Sequence, residues 1–222
     1  MMPVALAVVH PLQDAADPQK HPWARFAPGA SVKIRITDQR GGIVEETSTL
    51  KRVERTQVVL DHLRVRGERR EEFQSTIPLL FHGLAEPRKV AKETLKVAGR
   101  EFECETYEWS REEDPVKFAG RAWVTPEIHW PIRFRDTCSV EGTETIRAGE
   151  LVDMEAQLDV GGRKVKCLKF AGKFVTISGE DKSKRSEVDL TQWYSMEVPG
   201  GCVRELQGKR IVEVLEFSDG HK

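Results

Sequence analysis

The stretch QWYSMEVPGG, Gln192–Gly201, decides how this chain is read, because AWVTPEIHWP, Ala122–Pro131, repeats its skeleton seventy residues upstream. Both copies run Trp, one residue, Ser or Thr, one residue, Glu, then a β-branched aliphatic. The sequence around them repeats as well. LKVAGR at Leu95–Arg100 matches LDVGGR at Leu158–Arg163, and each is followed four residues after its arginine by a cysteine, Cys104 or Cys167. LRVRGE at Leu63–Glu68 is a fainter copy without the cysteine. Leu-x-Val sets two apolar side chains on one side of a strand, and glycine supplies the positive φ of a tight hairpin. The repeated unit is therefore a long hairpin, a third strand carrying the Trp, and a turn, explicit at Pro199-Gly200-Gly201. Copies span about 92–142 and 155–208, with the faint one at about 57–77.

Strand periodicity extends over most of the chain. Ser31 to Thr37 alternates strictly, and Gly41-Gly42 turns it into Ile43 to Val53. Val152, Met154, Ala156, Leu158 and Val160 alternate with Asp153, Glu155, Gln157 and Asp159, the pattern of an antiparallel strand with one wet side. Ile132, Phe134, Cys138 and Val140 oppose Arg133 and Arg135. The best helix candidate, Ala85 to Glu93, is short and interrupted by Pro87, within a region (78–90) that reads as a crossing loop. The expected fold is all-β: an antiparallel meander of ten to twelve strands with internal hairpin repeats, as a curved sheet, half-barrel or sandwich. Residues 1–21 read as a disordered tail or remnant signal peptide with its linker, and 22–222 as one β domain.

Charged residues make up 32% of the 222 residues, with 35 basic against 36 acidic and a net charge of −1. So even a balance points away from nucleic acid, which calls for a basic excess on one face. Met2 to Val9 resembles the apolar part of a secretory signal lacking its basic start, so export to the periplasm or medium is expected, with a cytoplasmic location as the alternative. No segment approaches the about 18 apolar residues of a membrane-spanning helix. Cys104, Cys138, Cys167 and Cys202 include no Cys-x-x-Cys pair. Their spacing fits one disulfide per repeat or four buried thiols equally well. On the return strands Glu101, Glu103 and Glu105 alternate with Phe102 and Cys104, and Lys164 and Lys166 with Val165 and Cys167. If the cysteines point inward, both charged rows face water.

Chemistry-bearing motifs are missing. The histidines show no ligand spacing, no nucleophile or phosphate-loop signature occurs, and Glu127 and Glu197 stand before turns. No cofactor, metal site or catalytic residue is expected, and the chain is read as not an enzyme. The ligand-binding candidates are tryptophans. Trp123 and Trp193 stand on the polar side of otherwise alternating strands, whereas Trp109 and Trp130 are unrepeated and fit a specific contact better. Repetition itself favours a core role for Trp123 and Trp193, because a duplicated hairpin duplicates its core.

A long antiparallel meander of Leu-x-Val-x-Gly-Arg hairpins over about 30–217, after an export-like start, resembles the open half-barrels of the periplasmic lipoprotein-carrier type. The resemblance implies a strongly curved sheet sheltering acyl chains. That family plugs its concave side with helices, of which this sequence shows none, and no functional residue carries over. The expected role is a binding protein, non-enzymatic and exported, holding an apolar or amphipathic small ligand in a curved sheet. A module that docks a protein partner, or a carbohydrate-binding module using Trp platforms, are the alternatives.

Overall fold

The computed structural model describes residues 21–55, 57–78, 87–128, 130–178 and 184–220. The expected tail lies outside the described residues up to position 20, as does the crossing loop over 79–86. The strands are β1 Ser31–Thr37, β2 Ile43–Val53, β3 Gln57–Arg66, β4 Arg69–Pro78, β5 Arg88–Val97, β6 Arg100–Glu113 and β7 Val116–Val124. After them come β8 Arg133–Val140, β9 Thr143–Val160, β10 Arg163–Ile177, β11 Arg185–Tyr194, β12 Cys202–Gln207 and β13 Arg210–Ser218. All thirteen form one antiparallel sheet in the order β4-β3-β2-β1-β13-β12-β11-β10-β9-β8-β7-β6-β5, not closed into a barrel. Chain neighbours lie side by side throughout, except that β1 pairs with β13 and leaves β4 and β5 as the two edges.

The all-β meander expected from the sequence is thus present, with thirteen strands instead of ten to twelve. One difference lies at Arg88–Val97, whose first residues read as loop or as a short helix. They form β5, exposed from Arg88 to Thr94. An edge strand exposed on both sides has no apolar alternation to give it away.

The register sorts each strand's side chains onto two sides. We call inner the side bearing Phe134, Leu151, Phe170 and Tyr194, all buried in one apolar cluster. Along β10 the buried positions change side midway. Phe170 is buried at an inner position, yet Cys167 and Val165 are buried at outer ones and join a second cluster with Val32, Leu50 and Leu60. The switch coincides with register shifts between Cys167, Lys169 and Phe170, where β9 carries extra residues. It follows a glycine pair, Gly149 opposite Gly172. At Gly172 a Cβ would sit 2.6 Å from Gly149 Cα and closer still to the Ala148 carbonyl oxygen, so the two backbones approach as only glycine permits. In β6 the same change occurs: Phe102, Cys104 and Thr106 are buried, then Trp109. Each long hairpin therefore buries first one of its faces and then the other along its length.

This bulge corrects the strand reading at Val152. Val152 is 41% exposed and Leu151 is buried instead, because the extra residue moves the alternation by one. Beyond it Met154, Ala156, Leu158 and Val160 alternate with exposed Asp153, Glu155, Gln157 and Asp159 as the period requires, and Ala156 and Leu158 stand opposite Cys167 and Val165. The charged rows behave as their alternation implies: Glu103 and Lys166 are exposed while Cys104 and Cys167 are buried. All four cysteines are free thiols.

Candidate ligand-binding face

The two motif tryptophans occupy matching places in the register. Trp123 lies between Thr106 on β6 and Arg133 on β8; Trp193 lies between Lys169 on β10 and Arg204 on β12. Each ring is flanked by two cations. The Arg121 and Arg133 guanidinium carbons lie 5.8 Å from the Trp123 ring centre. Lys169 Nζ and Arg204 Cζ lie 5.5 and 5.9 Å from that of Trp193. Trp123 also donates its indole N–H to Glu93 Oε1 at 2.6 Å. After each Trp the chain leaves the sheet and tucks in a buried hydroxyl residue, Thr125 or Ser195, and a buried aliphatic, Ile128 or Val198. Ser195 Oγ accepts the backbone N–H of Glu197 and closes the local turn.

Trp109 and Trp130 are buried. Trp109 packs against Gly120, where a Cβ would come within 2.8 Å of its Nε1, and clusters with Ala122 and Val124. Trp130 is held 4.6 Å from Tyr194, centre to centre, and fills the space over Gly201. The four candidate tryptophans are thus divided among three apolar clusters, and the structure brings them together at no single place.

The inner face between these cores has a mixed chemistry that the sequence did not reveal. Ile34, Ile36, Val44, Phe73, Phe118, Phe174 and Val188 share it by register and all stay half-buried. Among them run polar chains. Asp136 pairs with Arg147 at 3.1 Å. Gln192 donates to Glu205 Oε2 at 2.6 Å, and Arg210 pairs with Glu205 Oε1 at 2.7 Å. Burial pushes the Tyr194 hydroxyl far above its usual range, and also raises the Asp136 carboxyl against the pull of Arg147. Burial likewise pushes the Cys202 thiol up to about 12, with Glu205 adding to the rise.

A second polar array occupies β2, β3 and β4. His62 Nε2 lies 2.6 Å from Ser75 Oγ, while its Nδ1 lies 2.9 Å from Ser48 Oγ and 3.2 Å from Glu46 Oε1. Arg64 donates from Nε to Glu46 Oε2 at 2.8 Å. The His62 ring stacks on Phe73 at 4.6 Å and 7°. Burial works to raise the Glu46 carboxyl, but hydrogen bonds from His62 and Arg64 prevail and hold it below the usual range. The residues come from positions 46, 62 and 75, a spacing that matches no motif. Only the register, which sets His62 opposite Ser48 and Phe73, brings them together.

On the outer side, Arg88, Glu108, Arg121 and Arg135 rim a shallow open depression of about 470 Å³ floored by Ala119 and Gly120. Among the described residues no three His, Cys, Asp or Glu side chains are placed to hold a metal ion, and no helix is long and apolar enough to cross a membrane.

No family model matches this chain, and no curated protein matches it. Among solved structures it is similar to that of a "putative lipoprotein" from Parabacteroides distasonis. The TM-score is 0.48 at 11% identity, over 86% of this chain and 96% of the other.

Proposed function

We propose that this protein binds an amphipathic small molecule against the inner face of its sheet, and that it does so outside the cytoplasm. The observation that carries the reading is the composition of that face. Half-buried Phe73, Phe118, Phe174, Ile36 and Val188 alternate with the paired polar groups Asp136–Arg147 and Glu205–Arg210. Apolar side chains left partly open on the side that also holds buried Phe134, Leu151 and Phe170 are surface available to an acyl or aryl chain. The internal ion pairs, with their charges already matched, offer hydrogen bonds to a polar head.

Titration with NBD-labelled dodecanoic acid tests this. A saturable rise in emission is expected, with affinity falling at least about tenfold, or 1.4 kcal/mol, in Phe174→Glu. Lys173→Glu, one residue away on the outer side, should bind as the unaltered protein does. Equal loss in both, or no saturable binding, would remove the proposal.

A second reading has its own observation. β5 is an edge strand exposed from Arg88 to Thr94, and among the described residues only β6 pairs with it. Such an edge can accept a strand from a protein partner. Lys89, Lys92 and Lys96 along it discourage indiscriminate pairing, so a partner strand would carry acidic residues.

A further inference from the structure

We infer that Ser75 is a nucleophile toward carboxylic esters, activated by His62 and oriented through Glu46. The inference departs from the expectation, drawn from the sequence, that the chain is not an enzyme, and it does not depend on the binding role.

The argument starts from proton positions. Glu46 is held as a carboxylate by Arg64, which donates from Nε and also places Nη2 2.8 Å from Oε2. An ionised carboxylate only accepts, so the ring nitrogen facing its other oxygen must carry the proton. That nitrogen is His62 Nδ1, at 3.2 Å from Oε1, with the Ser48 hydroxyl sharing the bond at 2.9 Å. His62 Nε2 is then left as a lone pair, and the Ser75 hydroxyl 2.6 Å away donates to it. A serine, an imidazole in this tautomer and a fixed carboxylate, in that order, make up the activated-nucleophile arrangement wherever it occurs, and strand order places no restriction on it.

The groups are also held in place and reachable. Phe73 stacks on the imidazole, and the Arg64 guanidinium carbon lies 4.8 Å from that same phenyl ring. The side chains of His62 and Glu46 are 9% and 12% exposed, while Ser75 is half-buried on the inner face. β4 is an edge of the sheet, so every second backbone N–H along it has no strand partner among the described residues. Such groups are the donors at hand for a developing oxyanion.

The reaction balances without any co-reactant but water. Ser75 Oγ attacks the ester carbonyl carbon, and its proton passes to His62 Nε2. The tetrahedral intermediate collapses with cleavage of the C–O bond, and the Nε2 proton leaves with the alcohol. Water, giving a proton to Nε2, then attacks the acyl-serine, releases the carboxylic acid and restores the hydroxyl.

The test uses the full chain with a fluorophosphonate probe, peptide mass mapping of the adduct, and p-nitrophenyl butyrate turnover. One adduct at Ser75 is expected, absent in Ser75→Ala. The labelling rate should fall about a hundredfold or more in His62→Gln and about tenfold or more in Glu46→Gln. Ser186→Ala, exposed on β11, should label like the unaltered protein. An unaltered chain that is folded by circular dichroism yet unlabelled at Ser75 overturns the inference. So does labelling of Ser75 that His62→Gln leaves unchanged in a folded protein.

Discussion

Gly172→Ala should be the most damaging methyl group that can be added to this sheet. The two paired glycines allow a comparison that isolates its cause. At Gly172 an added Cβ would lie 2.6 Å from Gly149 Cα, 2.7 Å from the Ala148 carbonyl carbon and closer still to its oxygen. All three are backbone atoms of a paired strand, so relief requires β9 and β10 to separate where the buried side changes. At Gly149 the nearest atoms would be the Phe134 ring at 3.0 and 3.1 Å, which can tilt, with the Ala171 carbonyl oxygen at an ordinary 3.4 Å. Neither glycine has a positive φ, so the penalty is steric at both. Overpacking into a dense interior costs about 1–3 kcal/mol when side chains can yield, and a clash with backbone belongs at or above the top of that range. Replacing glycine gives back about 0.4–1 kcal/mol through the unfolded chain. The expected net losses are therefore about 3 kcal/mol for Gly172→Ala and under about 1 kcal/mol for Gly149→Ala. Urea unfolding followed by circular dichroism reads the difference. With a slope of about 2 kcal/mol/M, Gly172→Ala should lower the midpoint by about 1.5 M and Gly149→Ala by under about 0.5 M. Equal midpoints for the two variants, or a Gly172→Ala protein as stable as the original, would refute the close-approach account of the face switch.

Further outcomes follow from the geometry. The Glu46 carboxyl titrates below its unfolded value, so its contribution is complete above about pH 4.5 and is lost as pH falls through the folded value; Glu46→Gln should flatten the acid limb of a stability–pH curve. Burial pushes Cys167 up to about 11 and Cys202 up to about 12, so the folded chain keeps protons that the unfolded chain sheds above about pH 8.5. Stability should fall as pH rises from there, and the native protein at pH 8 should react with Ellman's reagent far more slowly than the urea-unfolded one. Trp130→Ala should cost about 3–5 kcal/mol by thermal denaturation. Trp193→Phe, which loses mainly two cation contacts, should cost about 1 kcal/mol or less.

Much of the fold was legible because alternation is a local signal. Ser31 to Thr37, the Glu103 and Lys166 rows with their buried cysteines, and the placing of Trp123 opposite Ala122 and Val124 all follow from a period of two. What a period of two misses is an extra residue, hence the error at Val152 and the unseen change of side along β9 and β10. It also misses an edge such as the first seven residues of β5, Arg88 to Thr94, where neither side is buried. The inner face was illegible for another reason. Phe174, Val188, Glu205 and Arg210 are ordinary strand residues, and His62 meets Ser75 and Glu46 only through the pairing of three strands. The tryptophans drew attention as rare, large residues, yet in the structure they pack among three clusters or stand beneath cations.

The inner-face binding role is tested most directly by mapping a bound amphiphile on the folded chain. With backbone amides assigned by nuclear magnetic resonance, titration with dodecanoic acid should shift amides around Phe118, Phe174 and Val188, on strands within reach of one extended chain, along one saturable curve. Shifts confined to the outer side, around Arg88, Arg121 and Arg135, or no saturable shift at all, would contradict it.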